Sequence, residues 1–532
     1  MLSLAALSGP LPKLGVVLAA LLVAAALLAP DVRARAAAML GALVLSPVLL
    51  LSDIWSSPQL RVVHRHPLLA LVGAIVGLAV LAALAMVIAR RPPLLALLSV
   101  LALPFRVPIQ AGGKASNLLV PLYLVVAAGA LAWIVPTLAA SRRERRGRAA
   151  VRSRRPEGRH GADPVPEPAP VAAATTPSPV LWLQRLLAMY VVLYGIQAVY
   201  SPDFRTALQN MVFFYVPFAL LFQLLRSLQW TPQLMRKCLQ LLVALALIFS
   251  VIGFVEYATK TIILNPKLVV ANDLHTYFTV NSVFFDPDIF GRFLALVMIL
   301  LATLLLYPRS QRQPVGVAAV LAVLWACLVL TLSRSSLGAL LVGLAVLAAL
   351  RYEPSRALVV AVVVIGCGAA AVAASPTTFG LNQGINGASS GRGGLVSGGL
   401  SLFADRPLWG YGSGSFSTEY HHDHRATPLS ASHTIPVTVA AEQGLIGELS
   451  YAALVLTALF CLLRQARGDP VRSALGAAFA ALVFHTMLYA DFLEDPVTWV
   501  LLGIGVAMAA ASVPRGAATQ TVSRQRTASA SA

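Results

Sequence analysis

The chain has 532 residues, 58% of them hydrophobic and only 11% charged. A soluble domain covers its surface with roughly a quarter charged residues, so this composition excludes one. The net charge of +19 is concentrated, because residues 141–160 alone hold nine Arg and two Glu, and a basic block beside apolar segments marks a cytoplasmic loop near anionic lipid, so that no nucleic-acid partner is expected.

Apolar runs long enough to cross a hydrocarbon core recur along the whole chain. The fold class expected is an all-α polytopic membrane protein of about 12–15 transmembrane helices, with a long extracytoplasmic loop before a late helix. Residues 1–140 carry apolar segments near 14–30, 36–51, 67–89, 93–104 and 118–138; the fourth is short and reads as half-inserted or re-entrant. The first segments lack a cleavable signal pattern and are read as retained. Residues 141–179 read as a linker, basic first and then rich in Pro and Ala. A central group follows in 180–375, with segments near 181–200, 207–225, 237–256, 289–307, 315–332, 336–350 and 357–375. Residues 376–432 form the long loop, rich in Gly and Ser early on, and long loops of this kind usually carry function. Helices near 435–463, 472–490 and 496–512 make up the C-terminal group in 433–512, and 513–532 read as a disordered cytoplasmic tail.

Charge orients these segments. With 141–179 cytoplasmic, the loops holding Arg226, Arg236 and Lys237, then Arg309 and Arg312, then Arg351 and Arg356, then Arg464, Arg467 and Arg472 all fall on the same side. Arg61 and Arg65 run against the count in the N-terminal group. Cys238, Cys327, Cys367 and Cys461 lie in apolar runs without motif spacing and read as small core residues.

Polar residues converge on the external helix ends. Arg334 lies in Thr331-Leu-Ser-Arg-Ser-Ser-Leu-Gly338, between two apolar segments, and Arg292 lies about one turn into a helix opened by Asp286-Pro-Asp288. His433 immediately precedes the helix start at Thr434-Ile-Pro436, while Arg392 and Arg406 add positive charge from the loop. Each has a plainer reading: an Arg at a helix end as a snorkelling anchor, a His as a cap, Asp286 and Asp288 as N-caps. What favours function is their shared depth on the side where positive charge is sparse. Glu442, two turns beyond His433 in Glu442-Gln-Gly-Leu-Ile-Gly447, suits a structural or a catalytic role. His421-His-Asp-His424 has metal-ligating side chains, but consecutive residues rarely face one ion, and a solvated loop is the stronger reading. Asp491, Glu494 and Asp495 suit binding of acceptor hydroxyls or solvation of a turn.

These motifs resemble the O-antigen ligase and polymerase superfamily of membrane glycosyltransferases. The resemblance rests on Thr331–Gly338, on Arg406-Pro-Leu-Trp-Gly-Tyr-Gly-Ser-Gly-Ser-Phe416, on Ser432-His433 followed by Glu442–Gly447, and on their order around a long external loop. Asp286-Pro-Asp-Ile-Phe-Gly-Arg292 is similar to an earlier family segment, with acids in place of asparagines. The resemblance is good over 280–510 and vague before 180. It implies a GT-C-like helical fold in the cytoplasmic (inner) membrane with its active site facing outside. It also implies transfer of a glycan from a polyprenyl-diphosphate carrier to a glycan, lipid or protein acceptor, without metal or other cofactor. Arg334 and His433 would be the catalytic pair, and Arg292, Arg334 and Arg392 would bind the diphosphate. Glu442, Asp286, Asp288 and Arg406 would serve the acceptor or the scaffold. The family pattern usually has Asn after the His, where Thr434 stands here, which puts the acceptor in question more than the reaction. Ligase and polymerase are not separated by these residues. The competing class is a transporter or flippase of lipid-linked oligosaccharide; against it, no internal repeat is visible.

Overall fold

The computed structural model describes residues 9–55, 64–111, 114–153, 178–263, 272, 278–308, 310–352, 355, 392–424 and 432–511. The expected span at 357–375, the Gly/Ser-rich start of the long loop, the segment 154–177 and the tail from 513 lie outside them. The described residues are helical, apart from turns and one antiparallel hairpin of β1 (Val107–Ala111) and β2 (Lys114–Leu118) among them.

The N-terminal group comprises α1 (Pro10–Leu28), α2 (Val32–Ile54), α3 (Pro67–Arg90), α4 (Pro93–Ala102) and α5 (Val120–Ser153). At 1.5 Å per residue α4 rises about 15 Å, half of a hydrocarbon core. Helix α5 continues through the start of the basic run that the sequence reads as linker. Next come α6 (Ser178–Ala198), α7 (Phe204–Ser227), α8 (Pro232–Thr259), α9 (Pro287–Leu306), α10 (Gln313–Leu330) and α11 (Arg334–Arg351). Two helices of the long loop, α12 (Arg392–Asp405) and α13 (Phe416–His424), precede α14 (Ile435–Leu463), α15 (Pro470–Thr486) and α16 (Pro496–Ala511). Among the described residues, eleven helices are long and apolar enough to cross a membrane. The chain is therefore an all-α polytopic membrane protein.

Local chemistry sets the helix starts. Proline opens many of them, where its missing N–H costs nothing. The side chains of Asp31, Asp203, Thr231, Asp286, Ser333 and Asp469 accept from amides of the following first turns. Packing then selects the bundle: α1 lies on α2 and α6, α6 on α14, and α7 on α16, while α9 touches α10, α11 and α15, and α11 lies along α15. The antiparallel sequence of helices puts the turns after α7, α9, α11 and α14 at one end. There Arg351 donates to Leu306 O, Arg467 to Ala349 O, and Arg472 to Met508 O. The turns that carry Asp286, Ser333, His433 and Tyr489 lie at the other end.

Helix α14 is broken one third of the way along. Gly444 has φ 64° and ψ −164°, which interrupts the backbone ladder. Inside a membrane those freed groups need partners, and the segment Arg406–Phe416 supplies them. Tyr411 N donates to Ala441 O at 3.1 Å, Gly412 N to Glu442 O at 2.7 Å, and Leu445 N to Pro407 O at 2.7 Å. Gln197 Nε2 reaches both Trp409 O and Gln443 O, at 3.2 Å each. A Cβ on Gly444 would lie 2.4 Å from the backbone of Leu408. Gly444→Ala is therefore expected to lose about 1–3 kcal/mol from the backbone conformation alone, read as a lower melting temperature of the protein in detergent. An unchanged melting temperature would show that the strap does not depend on this break.

Candidate active site

The site is built at the end of α9, α11 and α15 that also carries His433. Its approach is ordered by Glu256 near the end of α8, whose carboxylate accepts from the amides of Asn281 at 3.2 Å and Ser282 at 2.8 Å. That fixes the chain leading into α9. Asp286 then caps the helix by accepting from Asp288 N at 2.7 Å, and its other oxygen accepts from Tyr489 Oη at 2.9 Å. Burial, followed by the charge of Asp288, raises the Asp286 carboxyl above the usual carboxylate range.

Asp288 ties the site together. One carboxylate oxygen accepts from the hydroxyls of Ser333 and Ser335, at the start of α11. The other takes Arg392 Nη2, from the first turn of α12, at 3.2 Å. Arg392 Nη1 also donates to Leu488 O at 2.8 Å. Helices α9 and α11 approach closely at Gly291, where a Cβ would lie 2.7 Å from Ser336 Oγ. His485, near the end of α15, has Nε2 at 3.2 Å from Ser335 Oγ and 3.3 Å from Ser336 Oγ.

Tyr489 stands among the remaining groups. Its ring centroid is 6.0 Å from that of His433 and 5.5 Å from that of His485, and the Arg292 guanidinium carbon lies 5.9 Å from it. His433 takes a left-handed backbone conformation, φ 57°, just before α14, and its Nδ1 is enclosed without a hydrogen-bond partner. Burial and then the Arg392 cation hold its imidazole below the usual value, against the opposing charges of Asp288 and Asp491. Leu332 and Asp491 at this end also have positive φ. Such strain in non-glycine residues persists where the surroundings hold it, commonly at functional sites.

The residues singled out in the sequence fall into different settings. His433, Arg392, Asp286 and Asp288 come together. Arg334 stands exposed at the start of α11, beside the serines that hold Asp288. Arg292 is buried, and its Nη2 pairs with Asp495 at 2.6 Å while Nη1 is enclosed without a hydrogen-bond partner. Glu442 turns elsewhere: its carboxylate accepts from Gly414 N at 2.7 Å and Phe416 N at 3.1 Å, which clamps the strap across the break in α14. Arg406 is exposed on that strap, its guanidinium carbon 4.3 Å from the Tyr411 ring centroid. His421 to His424 occupy consecutive positions of α13; His422 Nδ1 lies 3.5 Å from Asp423 Oδ1, and among the described residues no group of three or more metal-ligating side chains forms. His485, Tyr489 and the pairing of Asp495 with Arg292 were not read from the sequence. The signals were a His in an apolar segment, a Tyr beside the acidic turn 491–495, and a charge on either side of one helix end.

Comparison with known families fits this end of the molecule. Residues 318–452 match the family model described as O-antigen ligase, which is what this segment is similar to. The matched stretch includes Arg334, Arg392, Arg406, His433 and Glu442, and it leaves out Asp286, Asp288 and Arg292. No curated protein matches the chain.

The Arg292–Asp495 pair makes its own prediction, because its side chains are only 4% and 2% exposed. Asp495→Asn strands a buried cation and is expected to cost about 3–5 kcal/mol, whereas the double replacement Arg292→Met with Asp495→Leu recovers most of that loss. Melting of the three proteins in detergent distinguishes them; equal melting of Asp495→Asn and wild type would mean the ion pair carries no stability.

Proposed function

We propose that the chain transfers a glycan from a polyprenyl-diphosphate carrier to an acceptor hydroxyl at the outer face of the cytoplasmic membrane. The observation that carries this reading is the enclosed His433 imidazole, its Nδ1 without a hydrogen-bond partner and its ring beside Tyr489, near the Arg392 cation and within the segment matched to the O-antigen ligase family. The family match supports glycan transfer, and the carrier, the acceptor and the face of the membrane are the finer parts of the proposal.

The chemistry follows from the groups present. His433 takes the proton of the acceptor hydroxyl as its oxygen attacks the anomeric carbon. The bond from that carbon to the diphosphate oxygen breaks, and its electron pair leaves with the carrier. Arg392 and Arg334 neutralise the charge that builds on the leaving diphosphate, which planar guanidinium groups do through paired N–H donors without a metal ion. Asp288 positions Arg392, and an incoming diphosphate shares that cation with it. Attack from the face opposite the leaving group inverts the anomeric centre.

Two further features support the reading. A cavity of about 1060 Å³ runs from Arg292 and Asp495 along Phe293, Leu296 and Leu300 of α9 toward Val317, an apolar course suited to the carrier's tail. The basic turns at the opposite end satisfy the positive-inside rule if the site faces outside.

Replacing His433 with Ala is expected to slow consumption of a lipid-linked donor about 10²–10⁴-fold. Arg392→Lys keeps the charge but loses the fork, and a fall of about 10²-fold is expected. Turnover at the wild-type rate in both, in protein that inserts normally, would defeat the assignment. The pH profile gives an independent check. The imidazole is held below its usual pKa of about 6.5, so the acid limb of the rate lies below that pH. Arg392→Gln removes a cation that disfavours imidazolium, so the limb of the residual activity moves to higher pH. A limb that stays in place means that His433 is not the titrating group.

A further inference from the structure

At the end of the bundle opposite His433, helices α1, α2 and α7 bring two arginines together. Arg35 lies in the first turn of α2, and Arg226 in the last turn of α7, which packs on both α1 and α2. Arg35 Nη2 donates to Ala29 O, at the end of α1, at 2.7 Å. Its Nε is enclosed without a hydrogen-bond partner, and so is Nη1 of Arg226. The two positive charges act on each other. The acid that acts on Arg35 is Asp31, whose carboxylate caps α2 by accepting from Ala34 N at 3.2 Å. Neither arginine forms an ion pair among the described residues.

A cation near a helix C-terminus is favourable in itself, and the Arg35 bond to Ala29 O is an instance. That accounts for one nitrogen of Arg35 and leaves two enclosed guanidinium donors of like charge facing no acceptor. Enclosed charged donors ordinarily have partners, and the acceptor that fits two planar forks is a tetrahedral oxyanion. The depth suits a lipid headgroup. Trp230, one turn beyond Arg226, donates its indole N–H back to Leu225 O at 2.9 Å, and Trp is enriched where membrane meets water.

We propose that Arg35 and Arg226 form a phosphate-binding site at the membrane boundary opposite the candidate active site. Its ligand class is a phosphate ester, supplied by the headgroup of an anionic glycerophospholipid or by free phosphate. The site shares no residue with the His433 cluster, so it stands or falls separately from the proposed transfer.

The test uses the full-length protein, purified in a neutral detergent. Native mass spectrometry measures retention of added phosphatidylglycerol against diacylglycerol of the same chains, and melting is followed in inorganic phosphate. Wild type is expected to retain phosphatidylglycerol about tenfold better than diacylglycerol, the scale of one charge-assisted hydrogen bond. Arg35→Gln and Arg226→Gln should each remove that preference, and Arg226→Lys should weaken it. Arg236→Gln, an exposed arginine at the same end, should leave it intact. A rise in melting temperature with inorganic phosphate in wild type, absent in Arg226→Gln, would assign the site to free phosphate. The proposal is overturned if neither phosphatidylglycerol nor phosphate discriminates wild type from the Gln variants. Equal loss in Arg236→Gln also overturns it, since the preference would then be a general surface effect. Should a Gln variant fail to fold, the Lys variant and the wild-type comparison with diacylglycerol still decide.

Discussion

Three stretches of chain that are remote in sequence meet at the carboxylate of Asp288. The start of α9 supplies it, the serines that open α11 donate to one oxygen, and Arg392 from the long loop pairs with the other. A carboxylate so placed satisfies donors on two sides and fixes the depth at which α9 and α11 lie against each other. It also determines where the cation of α12 points, and that cation adds to burial in holding the imidazole of His433 below its usual pKa. The residue that orients the candidate site is thus itself acidic, and its charge is balanced before any substrate arrives.

A second constraint is topological. A loop that crosses a membrane-embedded helix normally exposes polar backbone on both partners. Here the break at Gly444 and the strap Arg406–Phe416 meet each other's needs, and the two carboxylate oxygens of Glu442 accept from Gly414 N and Phe416 N. The glycines of the strap are explained by contact: a Cβ on Gly410 would meet the backbone of Glu442 at 2.3 Å, and one on Gly412 that of Ser201 at 2.6 Å. The motif that carries much of the family resemblance therefore reads, in physical terms, as a splice between loop and helix.

Much of the architecture was legible because the bilayer imposes a length and a composition on each span. The segments read as 289–307 and 435–463 became Pro287–Leu306 and Ile435–Leu463, with shifts of at most a few residues set by proline and N-cap chemistry. The alternation of basic turns was likewise visible, since Arg351, Arg467 and Arg472 cap carbonyls at one end. Partner choice was harder to read. Glu442 and Asp495 looked alike as acids near external helix ends, yet one holds backbone amides and the other a buried guanidinium. That difference depends on which helices are neighbours, and spacing along one chain does not encode it. His485 and Tyr489 were missed for the same reason, since each gains meaning only from a residue on another helix.

The pairing of Arg292 with Asp495 also constrains how the protein is made. Helix α9 emerges from the ribosome long before α16, and at roughly 5–20 residues per second the interval is about 10–40 s. Throughout it, α9 holds a cation whose counter-charge does not yet exist, in surroundings that resist burying one. The nascent helix must keep that arginine near water, or stay beside the insertion machinery, until α16 arrives. Assembly around α9 is therefore tied to the arrival of α16, and a product cut short before residue 495 is left with an unneutralised cation on α9.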